Sequence, residues 1–271
     1  MYPAFPRRIV DFRSTLALTF AMFAYLSPGF TNLMTTPAAR AGRFGHILLW
    51  VFASSLLVAA AVLLDAPMAH VVNIHSNPFL QNFAHFVSHL GEGWVVAVVG
   101  VLCSAFLLLV RRTQAARIVF LVAAIGLITG ATATVLRSII GRTRPNAHTA
   151  QGVYGIRHDS HWIIGKSEFG SFPSGHAATV AGLAAAAWMF NRRFGLVASG
   201  YAALVSWSRL AQGVHHFSDI VAACILGVVG AHIIVTRARP LIKGLEQALQ
   251  EAWLGGRPGV STIGSDASTQ V

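Results

Sequence analysis

The chain has 271 residues, of which 55% are hydrophobic and only 11% are charged, whereas soluble domains carry about 25% charged residues. Its 20 Lys and Arg residues outnumber its 9 Asp and Glu residues, so the formal net charge is +11 at pH 7. This composition excludes a disordered chain and an ordinary cytosolic enzyme, and two cysteines are too few for a disulfide framework.

We predict that residues 1–44 form a basic N-terminal segment at a membrane surface. The apolar run over residues 14–34 follows three arginines and is interrupted at residues 27–29 by Ser-Pro-Gly. A signal peptide has the same order of basic and apolar residues, but no small-residue cleavage site follows cleanly. We interpret residues 14–34 as an interfacial or re-entrant helix.

Six uncharged runs then approach the roughly 20 residues that a helix needs to cross a bilayer core about 30 Å thick. They cover residues 45–64, 93–110, 118–136, 174–190, 196–207 and 220–235. We therefore predict an all-α integral membrane protein with a six-transmembrane-helix bundle in a domain over residues 45–236. Residues 237–271 are predicted to form a cytoplasmic C-terminal tail.

The basic residues between these runs predict the orientation of the bundle. The loop over residues 65–92 contains no Lys or Arg, whereas the loops on the opposite side carry most of the basic residues, which places that opposite side in the cytoplasm. The cytoplasmic set is Arg40, Arg43, Arg111, Arg112, Arg117, Arg192, Arg193, Arg237, Arg239 and Lys243.

Two loops on the non-cytoplasmic side have predicted roles. Phe79, Phe83, Phe86 and Leu90 recur at helical spacing, which indicates an amphipathic helix either on the membrane surface or capping the bundle as a short core helix. Residues 146–172 are polar and without a strong period, so we expect a lid or a substrate-facing loop.

Three polar clusters occur at span ends on this same side. They are Arg137 to Pro145, Phe172 to His176, and Ser208 to Asp219. Each has an ordinary explanation, because an arginine such as Arg142 commonly anchors a span to head groups and Pro173-Ser174 can be a helix start with a serine cap. Their convergence on one surface favours a functional site.

Phosphate chemistry explains why these residue types occur together. Guanidinium groups present paired donors that fit phosphate oxygens and stay charged at every relevant pH. A serine and the free backbone N–H groups at a helix start add further donors and a favourable dipole. The predicted phosphate-binding residues are Arg137, Arg144, Ser174, Gly175 and Arg209.

Two histidines and an aspartate are the candidate catalytic residues. His215 and Asp219 are four residues apart, so they share a helix face if the sixth helix begins this early. The carboxylate can then hold one imidazole nitrogen and leave the other neutral and directed at phosphorus. His176 is placed to protonate the departing oxygen.

The ordered motifs R-x6-RP, PSGH and SR-x5-H-x3-D resemble the signature of the type 2 phosphatidic acid phosphatase family, which shares its site with vanadium haloperoxidases. The resemblance implies that His215 is the nucleophile, His176 the acid and Asp219 the residue that orients His215. It selects His215 over His216, which we interpret as structural. The family usually has Lys where this chain has Arg137.

The resemblance implies a membrane lipid phosphatase that hydrolyses a lipid phosphomonoester or diphosphate through a phosphohistidine, without a metal or another cofactor. We expect it in a bacterial cytoplasmic (inner) membrane containing anionic lipids, with its site on the periplasmic side and no nucleic-acid partner. The alternatives are phosphotransfer between lipids, a lipid transporter or scramblase, and a haloperoxidase. The lipid substrate and the oligomeric state stay open.

Overall fold

The computed structural model describes residues 37–72, 74 and 77–255, and the side chains among them from residue 48 to residue 238. The predicted interfacial helix over residues 14–34 and the end of the predicted tail lie outside the described residues. The described chain divides into two units between Ser55 and Leu56, and the site described below lies in the second.

The described chain is mostly helical, as predicted. Each of the six predicted runs falls in a helix, and one further helix lies where the Phe-rich stripe predicted it. The helices are α1 (Pro37–Leu63), α2 (Asp65–Val71), α3 (Pro78–Leu90), α4 (Gly93–Leu109), α5 (Thr113–Ile140), α6 (Gly175–Phe190), α7 (Arg192–Ala211) and α8 (Phe217–Gly255). An antiparallel hairpin of β1 (Arg157–His158) and β2 (His161–Trp162) and a 3-10 helix (Ser167–Phe169) are additions to the predicted all-α fold.

By length and composition, two of the described helices can each cross a membrane: α5 and the Phe217–Ala238 part of α8. Two bent pairs raise the total to four if each pair is one span; α1 bends by 55° into α2, and α3 bends by 61° into α4. The apolar helix α6 has 16 residues, a length of about 24 Å. Membrane-spanning character is therefore supported, and the count of six spans stays a prediction.

Large apolar side chains face outward and small residues face inward. Leu102 and Phe106 of α4 and Phe120 of α5 are exposed, whereas nearly every alanine of α6 is buried between α5, α7 and α8. This arrangement is the one expected where lipid is the solvent, because small residues let helix backbones approach closely.

The chain between α5 and α6 folds back over the end of α5. Gly141 ends that helix in the left-handed conformation at φ 63°, and its carbonyl accepts a hydrogen bond of 3.0 Å from the Tyr154 N–H. A methyl group at Gly141 would lie 1.9 Å from the carbonyl oxygen of Gly155, so only glycine fits this turn. The turn fixes where Arg142 and Arg144 emerge.

Helix α3 presents its aromatic stripe outward. Phe79 and Phe86 are exposed, while Val87 and Ser88 are buried against the neighbouring helices. The helix begins where the Asn77 side chain accepts a hydrogen bond from the Leu80 N–H. The predicted helix is therefore present with one exposed aromatic face and one buried face, and its place on the membrane surface or as a cap of the bundle stays a prediction.

Helix α8 is longer than its apolar run. It begins at Phe217 and continues past the predicted domain boundary at residue 236 to Gly255. The first 19 residues of the segment predicted as a C-terminal tail, residues 237–255, are therefore helical.

Gly227 is expected to determine how closely α8 packs against α6. A methyl group at this position would lie 2.6 Å from the Gly182 nitrogen and 2.9 Å from the Ala178 carbonyl oxygen, and neither backbone atom can move freely. We expect Gly227→Ala to destabilise the protein by about 1–3 kcal/mol, measured as a lower thermal midpoint in detergent. Gly200→Ala is the control, because nothing lies within 4 Å of its added methyl group. Equal midpoints for the two variants would contradict the prediction.

Candidate active site

The three polar clusters meet at one end of the helices. The last turns of α5 and α7 and the first turns of α6 and α8 carry them, because neighbouring helices run in opposite directions. The Ser174 N–H donates to the Asp219 carbonyl at 3.3 Å, and a methyl group at Gly175 would lie 3.5 Å from Arg137 Nη1. His176 is within electrostatic range of Arg137, Arg144, Arg209 and His215.

Four buried polar atoms in this region have no hydrogen-bond partner among the described residues. They are Arg144 Nε, Ser174 Oγ, Arg209 Nε and His215 Nε2. All four belong to residues that the sequence predicted as site residues, and they offer three donors and one imidazole nitrogen. Buried polar groups are normally satisfied, so this set is suited to a charged ligand that accepts hydrogen bonds.

Ser174 occupies the N-cap position of α6 but does not cap the helix. Its side chain is fully buried and makes no capping hydrogen bond, which is contrary to the simple interpretation of Pro173-Ser174 as a helix start with a serine cap. The hydroxyl group and the first N–H groups of α6 therefore remain available at the positive end of the helix dipole.

His215 contacts Asp219 from outside helix α8. Helix α8 begins at Phe217, so His215 precedes it and does not share a helix face with Asp219. Its Nδ1 lies 2.8 Å from the Ser171 carbonyl oxygen and 3.5 Å from Asp219 Oδ2. A carbonyl oxygen only accepts, so Nδ1 carries the proton, and in the neutral ring Nε2 keeps its lone pair.

Asp219 is a fully buried carboxylate whose two oxygens accept hydrogen bonds from three donors. Its Oδ2 accepts from Ser171 Oγ at 2.5 Å and from the His216 N–H at 2.7 Å, and its Oδ1 accepts from Arg142 Nη1 at 2.6 Å. His216 thus contributes a backbone group, which agrees with its interpretation as structural. A buried carboxylate with this many donors stays ionised.

Burial also lowers the pKa of two groups at this site, His215 and Arg144. It lowers the pKa of His215, and the charges of Arg209 and Arg144 lower that pKa further, while Asp219 opposes both. Burial and the nearby Arg137 lower the pKa of Arg144. The lowered pKa favours the neutral form of His215.

Arg142 is not the head-group anchor that the sequence suggested. Its Nη1 contacts Ser218 Oγ at 2.7 Å as well as Asp219, and its Nη2 contacts Asp65 Oδ2 at 2.8 Å. Only 16% of its side chain is exposed. The guanidinium group faces inward because two buried carboxylates are stronger partners than solvent or head groups.

The sequence interpretation also missed Ser171, Asp65 and Ser88. Arg209 Nη1 donates to the buried Ser88 hydroxyl of α3. The scarcity of acids among so many arginines was a usable signal for Asp65, because a buried arginine needs a carboxylate. Ser171 acts partly through its backbone carbonyl, for which residue type gives no signal.

Metal ligands do not gather near these residues. Within residues 37–72, 74 and 77–255, His, Cys, Asp and Glu form no group of three or more that could hold a metal ion.

Residues 115–242 match the family model of the PAP2 superfamily. This match covers a little under half of the chain. It contains all three clusters, so the family resemblance inferred from the motifs is confirmed. The PAP2 region begins in α5 and ends in α8.

Two curated relatives are similar over part of their length. A lipid A 1-phosphatase from Rhizobium johnstonii is 33% identical over 98 residues, which are 36% of this chain and 38% of the relative. A lipid A 1-phosphatase from Rhizobium etli is 32% identical over 98 residues, 36% of this chain and 40% of the relative. The chain therefore spans about two fifths of the length of these relatives.

Two solved structures are also similar. LpxE from Aquifex aeolicus superposes with a TM-score of 0.47 at 20% identity, covering 64% of this chain and 95% of the other. A PAP2-type phosphatidylglycerolphosphate phosphatase from Bacillus subtilis has a TM-score of 0.42 at 18% identity, covering 84% of this chain and 96% of the other.

We expect Arg144→Gln to weaken the binding of inorganic phosphate roughly 10- to 100-fold, because the loss of a charge-assisted hydrogen bond costs about 1.5–3 kcal/mol. Isothermal titration calorimetry of the detergent-purified protein measures the change. Arg193→Gln, at the exposed start of α7, is the control and should leave phosphate affinity unchanged. An Arg144 variant that binds phosphate as tightly as the wild type would remove this arginine from the site.

Proposed function

We propose that the protein is an integral-membrane lipid phosphatase, a phosphoric monoester or diphosphate hydrolase that works through a phosphohistidine on His215 and without a metal. Arg137, Arg144, Ser174, Gly175 and Arg209 bind the phosphate. His176 is the acid, and Asp219 orients His215.

The observation that carries this proposal is the set of four unpartnered polar atoms. Arginine and serine donors match the oxygens of a phosphate, and the lone pair of His215 Nε2 matches its phosphorus atom. A neutral ligand would leave buried cationic groups uncompensated, which is costly. A phosphate dianion supplies both the charge and the acceptors.

In the first step, His215 Nε2 attacks phosphorus and forms a P–N bond while the bond to the leaving oxygen breaks. His176 donates its proton to that oxygen, so the lipid leaves as an alcohol, or as a monophosphate if the substrate is a diphosphate. The negative charge of the bound phosphate favours the protonated His176 that this role needs. Arginine donors stabilise the charge on the equatorial oxygens.

In the second step, a water molecule attacks phosphorus and His176 takes its proton. The P–N bond breaks, inorganic phosphate is released and neutral His215 is restored. The Ser171 carbonyl and Asp219 stabilise Nδ1–H while the ring carries positive charge. An acceptor lipid in place of water would give phosphotransfer through the same intermediate.

We propose that the site faces the periplasm of a bacterial inner membrane and that the C-terminus is cytoplasmic. Arg112 precedes α5 and Arg192 begins α7, at the ends of these helices opposite to the site. Basic residues concentrate on the cytoplasmic side of membrane proteins. The bilayer with its anionic lipids and the lipid phosphate are the proposed partners.

A phosphate on a lipid A-type glycolipid is the first substrate to test, because the two curated relatives are named lipid A 1-phosphatases. Phosphatidic acid, phosphatidylglycerophosphate and a polyprenyl diphosphate complete the panel.

His215→Ala should reduce phosphate release from the best lipid of the panel at least roughly 1,000-fold, because no P–N bond can form. His216→Ala is a matched control, since the adjacent residue contributes its backbone N–H to Asp219 and keeps that group after substitution. Activity of the wild type should resist a chelator and be inhibited by vanadate. Full activity of purified His215→Ala would overturn the mechanism.

The pH profile should reflect the lowered pKa of His215. Its neutral form is the nucleophile, so on the acid side kcat/KM should fall as the pH drops through that lowered pKa, below the value of about 6.5 for an ordinary histidine. Asp219→Asn removes a charge that raises this pKa and should move the acid limb to still lower pH. A limb that stays in place in this variant would belong to the substrate and contradict the assignment.

A further inference from the structure

A network of charged groups connects Asp219 to Asp65 through Arg142. Asp65, at the start of α2, accepts from Arg142 Nη2 at 2.8 Å through Oδ2, and Arg142 Nη1 reaches Asp219 at 2.6 Å. The exposed fractions of the three side chains are 13%, 16% and 0%. The arginine thus joins an aspartate outside the predicted signature to one inside it.

Asp65 also holds the beginning of α8. Its Oδ1 accepts from the Ser218 N–H and its Oδ2 from the Ser218 hydroxyl, each at 2.8 Å. A carboxylate that binds a free N–H at a helix start stabilises that helix end. Asp219 is the next residue, so Asp65 fixes both its backbone and, through Arg142, its side chain.

Arg142 reaches His215 by a second route. Its carbonyl oxygen accepts from the Ser171 N–H at 3.0 Å. Ser171 in turn donates its hydroxyl to Asp219 and offers its carbonyl to His215 Nδ1. The side chain of Arg142 therefore fixes one neighbour of His215, and the backbone of Arg142 fixes the other.

We propose that Asp65 and Arg142 are positioning residues that keep His215 in the Nδ1–H tautomer with Nε2 aimed at phosphorus. Neither residue touches the phosphate. The proposal rests on the proposed function for its kinetic consequence, but the tautomer of His215 is a property of the protein itself.

The kinetic test uses Asp65→Asn and Arg142→Lys in the full chain in detergent, with phosphatidic acid in mixed micelles as the substrate. Each variant should lower kcat between about ten- and a hundredfold, the size expected when a reacting group is slightly misplaced. The inhibition constant for inorganic phosphate should stay nearly unchanged, because the phosphate-binding arginines are intact. A loss of phosphate affinity equal to the loss of kcat would overturn the proposal in favour of general disruption of the site.

The second readout does not require activity. In protein labelled with ¹⁵N-histidine, the imidazole of His215, identified by its absence in His215→Ala, should give one tautomer in the wild type and a mixture in Asp65→Asn and Arg142→Lys. The neutral tautomers differ in the protonated nitrogen, which the ¹⁵N shifts report. A single, unchanged tautomer in both variants would overturn this proposal. Failure of the wild type to release phosphate from any lipid would overturn the proposed function instead, and the tautomer test would still apply.

Controls distinguish this effect from charge loss at the surface. Arg192→Gln removes an exposed charge at the start of α7, and Arg193→Lys alters the exposed arginine next to it. Both should match the wild type in kcat and tautomer. If Arg142→Lys fails to fold, as judged by its thermal midpoint, the nearly isosteric Asp65→Asn and Ser218→Ala carry the test, and unchanged kcat and tautomer in these two would refute the positioning role.

Discussion

The buried charge of Asp219 is the constraint on which the rest of the site depends. A carboxylate with no exposed surface is stable only when donors surround it. Those donors come from three separate parts of the chain: the loop after α5, the segment before α6 and the start of α8. Satisfying this one group therefore brings together the segments that carry the proposed nucleophile His215 and two of the proposed phosphate-binding residues, Arg144 and Ser174.

Small residues make that convergence possible. Glycines and alanines on the facing surfaces of α5, α6 and α8 let these helices pack at backbone contact, so their ends meet in a narrow space. In that space three arginines and two histidines lie close together without a carboxylate for each. The site is thus strongly electropositive.

The helices and the three clusters were predictable from sequence because apolar runs and motif spacing are local signals. The partners of the clusters were not. Arg142 and Asp65 are separated by 77 positions and meet only in space, so sequence favoured a solvent-facing interpretation of Arg142. The predicted contact of His215 with Asp219 is present, with Nδ1 3.5 Å from Oδ2, but it does not arise from a shared helix face, because the helix starts only at Phe217. Local periodicity cannot locate such an end.

Several essential contacts of this site are made by main-chain atoms. The Ser171 carbonyl, the His216 N–H and the Ser174 N–H all remain when their side chains are truncated. Alanine substitution therefore leaves these main-chain hydrogen bonds in place and does not measure their contribution. It would report Ser171 through its hydroxyl alone and His216 as dispensable, although the Ser171 carbonyl contacts the His215 ring and the His216 N–H contacts the Asp219 carboxylate. Replacement of single amides by esters in a semisynthetic chain is the kind of chemistry that would make those contributions measurable.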